Sequence, residues 1–301
     1  MSSVAFDDSF ITKVYIEPAR TLAEYDSIWG EEVFTLVSDW YRYSGEPVDH
    51  AAIKDQLSSL EEQRLAERME HPVVRLRDKI ISRAPSFQRE VFPRISSLLP
   101  PDTKIEATTS LVSLIKPGAF CAAGRIVVNL SNPQFLKAGD DLIFNVVAHE
   151  LYHFGFHGYQ EHGSALSTDA SPGELMDHAL WWLQNEGMAT YASYGVTDLY
   201  PAHGAARDYD LLDDPTDVRR LIGNVNEILD SADRLPRDAF RDLIWEKGVR
   251  ERAFYVVGAH MARTIDSESG RGVLISLIEE GSRSFAEAYN GLAPEGTRIE
   301  I

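Results

Sequence analysis

The sequence predicts an α+β protein that is mostly helical, with a small sheet directly before one central helix. Apolar residues recur at a spacing of three and four through most of the 301 residues, and this period is typical of amphipathic helices. Residues 104–130 instead contain short runs of β-branched residues, which favour strands. Apolar residues make up 44% of the chain and charged residues 25%, as in ordinary globular domains.

The first hundred residues carry mainly the helical pattern. Residues 21–43 and 48–81 have apolar positions at helical spacing among many charges, with a break at Gly45-Glu46-Pro47. The prolines that are expected to divide the second half into short pieces are Pro72, Pro85, Pro93, Pro100 and Pro101. The charge runs are typical of solvated helix faces. We therefore expect a helical N-terminal region over residues 1–100 and a second domain, which carries the chemistry, over residues 101–301.

Two strands are predicted before the central helix. Residues 111–115 and 125–130 are rich in Leu, Val and Ile, and Pro117-Gly118 turns the chain between them. A strand in this position offers an edge along which an extended peptide could pair. A plain hairpin explains the same pattern, and the sequence does not separate the two interpretations.

The central helix is predicted over about residues 141–157 and contains the pentapeptide His149-Glu150-Leu151-Tyr152-His153. On a helix, His149 and His153 lie one turn apart on the same face, where two imidazoles can bind one metal ion. Glu150 then lies beside the first ligand and can take a proton from a water on that metal. Two histidines and a carboxylate on an apolar stripe are costly to bury without such a partner. The pattern predicts a zinc hydrolase, and core histidines without metal are the alternative.

A catalytic zinc site usually has three protein ligands, so the pentapeptide requires one more. Glu186 is the best candidate, because neighbours such as Trp182, Leu183 and Ala189 place its carboxylate on the core side of a helix. This helix is predicted over residues 173–195, with its start at Ser171-Pro172-Gly173-Glu174. The alternative for Glu186 is a carboxylate without metal. The competing ligands are His157, Glu161, His162, Glu174, Asp177 and His178.

Charge and cysteine content exclude several classes of function. The net charge is −18 and no basic stripe offsets it, which argues against binding to nucleic acid or to anionic membranes. Cys121 is the only cysteine, so neither an intramolecular disulfide nor a thiolate-rich metal site is predicted. The chain starts without a secretory signal and has no apolar run of about 18 residues. We expect a cytoplasmic protein, with a secreted protein that has lost its signal as the alternative.

The motif His149-Glu150-x-x-His153, followed by Asn185-Glu186-Gly187-x-Ala189, resembles the gluzincins, the thermolysin-like and aminopeptidase-like clan of zinc peptidases. It is most similar to their branches of predicted zinc-dependent peptidases. The likeness covers residues 105–195, with a weaker likeness over residues 255–262. The interval between the two motifs is longer than in the best-known members, which implies an inserted loop over residues 157–172.

Two further comparisons qualify the resemblance. Many gluzincins have an aspartate four residues after the glutamate ligand to orient a histidine, whereas this chain has Thr190 there. The metzincin pattern requires a glycine and a third histidine at positions that hold Phe156 and Tyr159. The residues therefore support a resemblance to the gluzincins and not to the metzincins.

The resemblance implies a zincin-like metallopeptidase domain over residues 101–301, which hydrolyses peptide bonds with Zn²⁺. It assigns the metal ligands to His149, His153 and Glu186, and the general base to Glu150. Similar enzymes stabilise the developing oxyanion with a downstream tyrosine or histidine, and here the candidates are Tyr255 and His260.

Two other classes of protein remain as alternatives. A di-iron helical bundle needs two Glu-x-x-His units, whereas only Glu150-x-x-His153 is present. A non-catalytic, zincin-like metal-binding or interaction protein is the second alternative. The presence of Glu150 argues against it, because a structural metal site does not need a base.

Overall fold

The structure is a computed structural model that describes residues 3–17, 22–29, 32–44, 47–116, 118–122, 124–160, 170–201 and 207–301. These residues are mostly helical and contain one four-stranded sheet, which confirms the predicted α+β class. Contacts group the chain into two compact units, Met1–Glu90 with Ile105–Glu150 and Val91–Lys104 with Leu151–Ile301. The boundary near residue 100 stays a prediction. The predicted break at residues 45–46 and the predicted turn residue Pro117 lie outside the described residues.

Four strands form the sheet in the order β1-β2-β4-β3. Their bounds are β1 Ser3–Asp7, β2 Glu106–Val112, β3 Ala119–Ala122 and β4 Arg125–Asn129. Strand β2 pairs in parallel with both β1 and β4, and β3 pairs antiparallel with β4. The inner strands β2 and β4 are largely buried, as expected for parallel strands covered on both faces.

The strand predictions are right in part. The second predicted strand is confirmed as β4, but the first one begins at Glu106 and ends at Val112, because small and β-branched residues continue the ladder towards the N-terminus. The two do not form a hairpin with each other, since β2 and β4 are parallel; the hairpin is β3–β4. Strand β1 was not predicted.

The helices of the described residues have the following bounds: α1 Ser9–Ile11, α2 Tyr25–Trp29, α3 Glu32–Ser44, α4 His50–Glu62, α5 Leu65–Met69, α6 Pro72–Glu90, α7 Phe92–Ser96, α8 Pro133–Ala138, α9 Asp140–Phe156, α10 Pro172–Tyr194, α11 Arg207–Asp213, α12 Pro215–Asp230, α13 Arg237–Leu243, α14 Ala253–Ser269, α15 Arg271–Glu280 and α16 Ser282–Leu292. Two π-helical segments, Thr12–Ile16 and Ile244–Arg250, continue α1 and α13. The expectation that the prolines divide this region into short pieces is wrong at Pro85, which lies inside the 19-residue helix α6.

Helix α9, which carries the pentapeptide, is fixed at its first turn within the first unit. The carboxylates of Asp140 and Asp141 accept hydrogen bonds from the Arg83 guanidinium on α6, at 2.7 Å for Asp141. Negative charges in the first turn are also favoured by the helix dipole. One turn later, the ring of Phe144 stacks on that of Phe87 at 5.1 Å. These contacts confirm the predicted helix start.

Helix α10 begins in the segment that the sequence predicted as its start, and its first turn forms a capping box. The Ser171 hydroxyl accepts a hydrogen bond from the Glu174 amide, and the Glu174 carboxylate accepts one from the Ser171 amide at 2.7 Å. Pro172 occupies the first helical position, where its missing N–H costs nothing. The helix ends before Gly195, so both ends lie within one residue of the prediction.

Helices α10 and α14 of the second unit touch through their backbones. A Cβ atom built on Gly187 would lie 2.2 Å from the Cα atom of Gly258, and one built on Gly258 would lie 2.1 Å from the Leu183 carbonyl oxygen. No side chain fits between the helices at this crossing. The turn of α14 that contains Tyr255 is therefore held beside the turn of α10 that contains Glu186.

Helix length and hydropathy were compared with what a membrane span requires. None of the described helices is both long enough and apolar enough to cross a membrane. The cytoplasmic location stays a prediction from the sequence.

Candidate metal centre

Three predicted ligands come together on two helices. His149 and His153 lie on α9 and Glu186 on α10, and one donor atom from each lies within 4.8 Å of the other two. The Nε2 atom of His153 is 3.6 Å from Oε2 of Glu186. Bonds of about 2.1 Å to a tetrahedral zinc ion would place ligand atoms about 3.4 Å apart. The nitrogen and oxygen donors of this group therefore fit a zinc ion in kind and in spacing.

The centre has a buried side and an accessible side. The residues His153 and Glu186 are 4% and 7% exposed, whereas His149 and Glu150 are half-buried. An ionised carboxylate at this depth is costly unless a cation or hydrogen bonds offset its charge. Because Glu150 is accessible, it can exchange protons with a water or a substrate.

Asn185 fixes the tautomer of the neutral His153 ring. Its Oδ1 atom lies 2.9 Å from Nδ1 of His153, and both side chains are buried. A carbonyl oxygen can only accept a hydrogen bond, so Nδ1 carries the proton. The lone pair is then on Nε2, the atom that faces Glu186. A hydrogen bond of this kind orients a histidine for metal binding.

Buried amides connect α10 to the end of α9. The Nε2 atom of Gln160 donates to Oε1 of Gln184 at 2.8 Å and to the Ile278 carbonyl oxygen at 2.9 Å. Gln184 in turn donates to the Leu277 carbonyl oxygen at 2.9 Å. These bonds satisfy polar groups in the core and fix α10 against α15 at the level of the metal centre.

The chain was compared with known protein families, with curated proteins and with solved structures. A family model described as "Putative zinc dependent peptidase (DUF5700)" matches residues 65–296, well over half of the chain. The chain belongs to the DUF5700 family. No curated protein and no solved structure matches it significantly. The family description agrees with the zinc-peptidase character that the motifs implied, and the matched segment contains all three residues of the candidate centre.

His157, the main competitor as third ligand, occupies another position in the DUF5700 chain. Its ring stacks on that of His153 at 5.6 Å and 21°, and on that of Trp181 at 5.7 Å and 24°. It is not part of the three-residue group. His157 therefore packs against a predicted ligand, and its contact with Trp181 anchors that ligand to α10.

The other described candidates for the third metal ligand make contacts outside the three-residue group. Glu174 belongs to the capping box of α10, and Asp177 accepts a hydrogen bond from Arg283 at 2.7 Å. His178 accepts one from the Trp182 indole at 3.1 Å. Residues Glu161 and His162, and the middle of the expected loop, lie outside the described residues.

Tyr255, one of the two predicted oxyanion donors, lies in the first turn of α14 beneath an arginine. The guanidinium carbon of Arg252 is 3.1 Å from the centre of the Tyr255 ring. Arg252 also donates from Nε and Nη2 to the two carboxylate oxygens of Asp208, at 2.7 and 2.6 Å. Burial alone would lower the pKa of Arg252, but Tyr255, Asp208 and the charge of Glu186 raise it above its usual value. Arg252 thus lies within the electrostatic field of the candidate centre.

His260, the other predicted donor, lies on a different face of α14 from Gly258. Its ring meets that of Tyr289 on α16 at 5.8 Å in an edge-to-face contact. Burial lowers the pKa of His260, and the charge of Arg263 lowers it further. His260 is therefore part of the α14–α16 packing, and it is not among the residues that group with His149.

Sequence reasoning assigned no role to Asn185, Arg252 or Asp208. Asn185 was visible as part of the second motif, but its bond to His153 depends on the relative rotation of two helices. Arg252 and Asp208 are 44 positions apart, and no pattern connects them. A local signal existed only for Asn185.

Proposed function

We propose that the chain is a zinc metallopeptidase of the gluzincin type, with His149, His153 and Glu186 as the metal ligands. The observation that carries the proposal is the grouping of these three side chains within 4.8 Å in a member of a zinc-peptidase family. Zinc supplies Lewis acidity when bound there, since it polarises a peptide carbonyl and acidifies the attacking water. The substrate is a peptide or protein.

Glu150 is the general base of this mechanism. It follows the ligand His149 on α9 and is accessible to solvent, so its carboxylate can accept the proton of the attacking water. The same carboxylic acid then delivers the proton to the leaving amine. Asn185 keeps the proton of His153 on Nδ1, which leaves Nε2 available throughout the cycle.

Tyr255 is the better supported of the two oxyanion donors. The close crossing of α10 and α14 at Gly187 and Gly258 brings its turn near Glu186, and its ring is held by Arg252. A phenolic O–H in this position can donate to a developing oxyanion. His260 packs on Tyr289 instead, which favours a structural role.

The first test is the metal content per chain, measured by mass spectrometry on protein purified without added metal. We expect about one zinc in the wild type and its loss in Glu186→Ala. Glu174→Ala is the matched control, because it removes a carboxylate from the same helix in the capping box and should keep the metal. A folded wild type that binds no zinc even when zinc is supplied would refute the proposal.

The second test separates a peptidase from a zinc-binding protein without activity. Cleavage of a peptide library is followed for the wild type and for Glu150→Gln, which keeps the size of the side chain but cannot act as a base. We expect the variant to retain zinc and to lose roughly two to four orders of magnitude in cleavage rate. Cleavage that is equal in both proteins would exclude Glu150 as the base, and zinc binding without any cleavage would favour the non-catalytic alternative.

A further inference from the structure

We propose that Arg252 binds the C-terminal α-carboxylate of the substrate and that the protein is therefore a carboxypeptidase. This inference rests on the proposed peptidase function and names the substrate class of the same centre. Three features carry it: the unused donors of the guanidinium, its position relative to Glu186, and the backbone conformation of Arg252.

The guanidinium has one occupied and one open edge. Nε and Nη2 donate to Asp208, and one face of the group covers the Tyr255 ring. Nη1 and the second N–H of Nη2 have no hydrogen-bond partner among the described residues, and the side chain is 28% exposed. One N–H of Nη1 and the remaining N–H of Nη2 form a planar fork that matches the two oxygens of a carboxylate. A single peptide carbonyl would use only half of it.

The position of Arg252 sets the distance between the carboxylate and the scissile bond. Arg252 immediately precedes α14 and is six residues before Gly258, which touches Gly187 next to Glu186. Six residues of helix correspond to about 9 Å along the axis. An extended peptide covers that length in roughly three residues. A substrate whose carboxylate is bound by Arg252 is thus expected to lose one to three residues from its C-terminus.

The backbone of Arg252 is held in a conformation that residues with a Cβ atom disfavour. Its φ is 70° and its ψ is 21°, in the left-handed region. Strained residues of this kind persist where the surroundings hold them, and they are frequent at functional sites. Here Asp208 and Tyr255 hold the side chain, so the strain coincides with a guanidinium in a fixed orientation.

The test measures ligand binding without catalysis. The probes are two N-acetylated tetrapeptides of identical sequence, one with a free C-terminal acid and one with a C-terminal amide. Binding to zinc-loaded Glu150→Gln protein is followed by calorimetry. We expect the acid to bind about tenfold to a hundredfold more tightly than the amide, as for hydrogen bonds to a charged group.

Variants at Arg252 then test whether the preference for the acid over the amide depends on this side chain. Arg252→Gly removes the side chain and accepts the positive φ without strain; Arg252→Asn, which also tolerates this conformation, guards against a folding defect. Both should abolish the preference, and Arg252→Lys should lose most of it, because a lysine offers no fork. The matched control is Arg263→Lys. Arg263 lies on α14 and also pairs with an aspartate of α11, Asp213, and this variant should keep the full preference.

The outcomes distinguish the two proposals. Equal binding of acid and amide, no binding of the acid at millimolar concentration, or a preference that survives Arg252→Gly would each overturn the role of Arg252. A preference that depends on Arg252 in a protein whose wild type cleaves no peptide would refute the peptidase proposal alone. In an active wild type, mass spectrometry should find release of one to three C-terminal residues, and cleavage of amidated peptides at internal bonds with equal efficiency would exclude carboxypeptidase action.

Discussion

Asn185 and His153 form a buried hydrogen bond of 2.9 Å between an amide oxygen and the imidazole Nδ1 atom. Asn185 directly precedes Glu186 on α10, so one short segment contributes both a proposed ligand and the residue that orients another. The partner of His153 is neutral, whereas histidine ligands are often oriented by a carboxylate. The orientation of His153 therefore depends on the Asn185 side chain, and replacing Asn185 should change the affinity for zinc.

Asn185→Leu should weaken zinc binding by about tenfold to a hundredfold, because His153 loses the bond that fixes its ring and its tautomer. Competition with a chromophoric chelator gives the dissociation constant directly. Asn185→Asp is the control, since its carboxylate accepts the same hydrogen bond, and it should bind zinc at least as tightly as the wild type. Equal affinities for Asn185→Leu and the wild type would contradict an orienting role.

His157→Phe should retain the full zinc content. A phenyl ring preserves the stack between His153 and Trp181, and only the ring nitrogens are removed. The zinc content of His157→Phe is measured alongside that of Glu186→Ala, because the two variants test the two candidates for the third ligand. Loss of zinc in His157→Phe together with its retention in Glu186→Ala would move the ligand to His157.

Gly258→Ala should destabilise the protein by about 1–3 kcal/mol or more, as overpacking does in well-packed cores. The new Cβ atom would lie 2.1 Å from the Leu183 carbonyl oxygen, and backbone on both sides prevents an easy shift. The free energy of unfolding is measured by urea denaturation. If Tyr255 is the oxyanion donor proposed above, a shift of α14 against α10 should lower peptidase activity as well.

Gly223→Ala is the matched control for this substitution. Gly223 lies inside α12, and a Cβ atom there meets nothing within 4 Å. Alanine is the better helix former, so this variant should be more stable than the wild type by about 0.5–1 kcal/mol. Destabilisation of similar size at both glycines would show that the crossing of α10 and α14 is not the cause.

His260→Gln should reduce the acid sensitivity of folding. Burial, with the charge of Arg263, lowers the pKa of His260 in the folded protein. Below the unfolded value of about 6.5, the unfolded chain binds a proton that the folded chain resists. The contribution of His260 to the free energy of unfolding is therefore complete above that pH. It is lost as the pH falls through the lowered pKa of the folded protein. The glutamine variant lacks this loss.

The measurement for His260 is urea unfolding at about pH 7.5 and about pH 5 for both proteins. The decrease in unfolding free energy between the two values should be larger in the wild type. Metal loss at low pH affects both proteins equally and cancels in the comparison. An identical decrease in both would mean that His260 does not titrate differently in the folded and unfolded states.

Local signals explain why much of the fold and the candidate centre could be predicted. Helix α9 follows an apolar period that starts at Asp140, and α10 starts with a capping box at Ser171 and Glu174. Both signals act within a few residues, where sequence determines conformation directly. The group of His149, His153 and Glu186 also follows from helical spacing together with one family-like motif.

The rest depends on contacts between distant segments. Strand β1 pairs with β2 about a hundred positions later, and a five-residue strand has too short a pattern to be recognised alone. The pair of Arg252 and Asp208 is equally non-local. The left-handed backbone of Arg252 could not be predicted either, because arginine rarely adopts it. Tertiary contacts select these features, and no local propensity favours them.

Strand β1 also determines where the chain can be shortened. It lies along β2 from Ser3 opposite Glu106 to Asp7 opposite Ser110, and it covers one backbone edge of that buried strand. The family match begins only at residue 65, so a fragment cut at that limit would lack β1. Its β2 edge would expose unpaired N–H and C=O groups beside apolar side chains, which is the template on which chains aggregate. A fragment that lacks these five residues is therefore expected to associate with copies of itself more readily than the full chain.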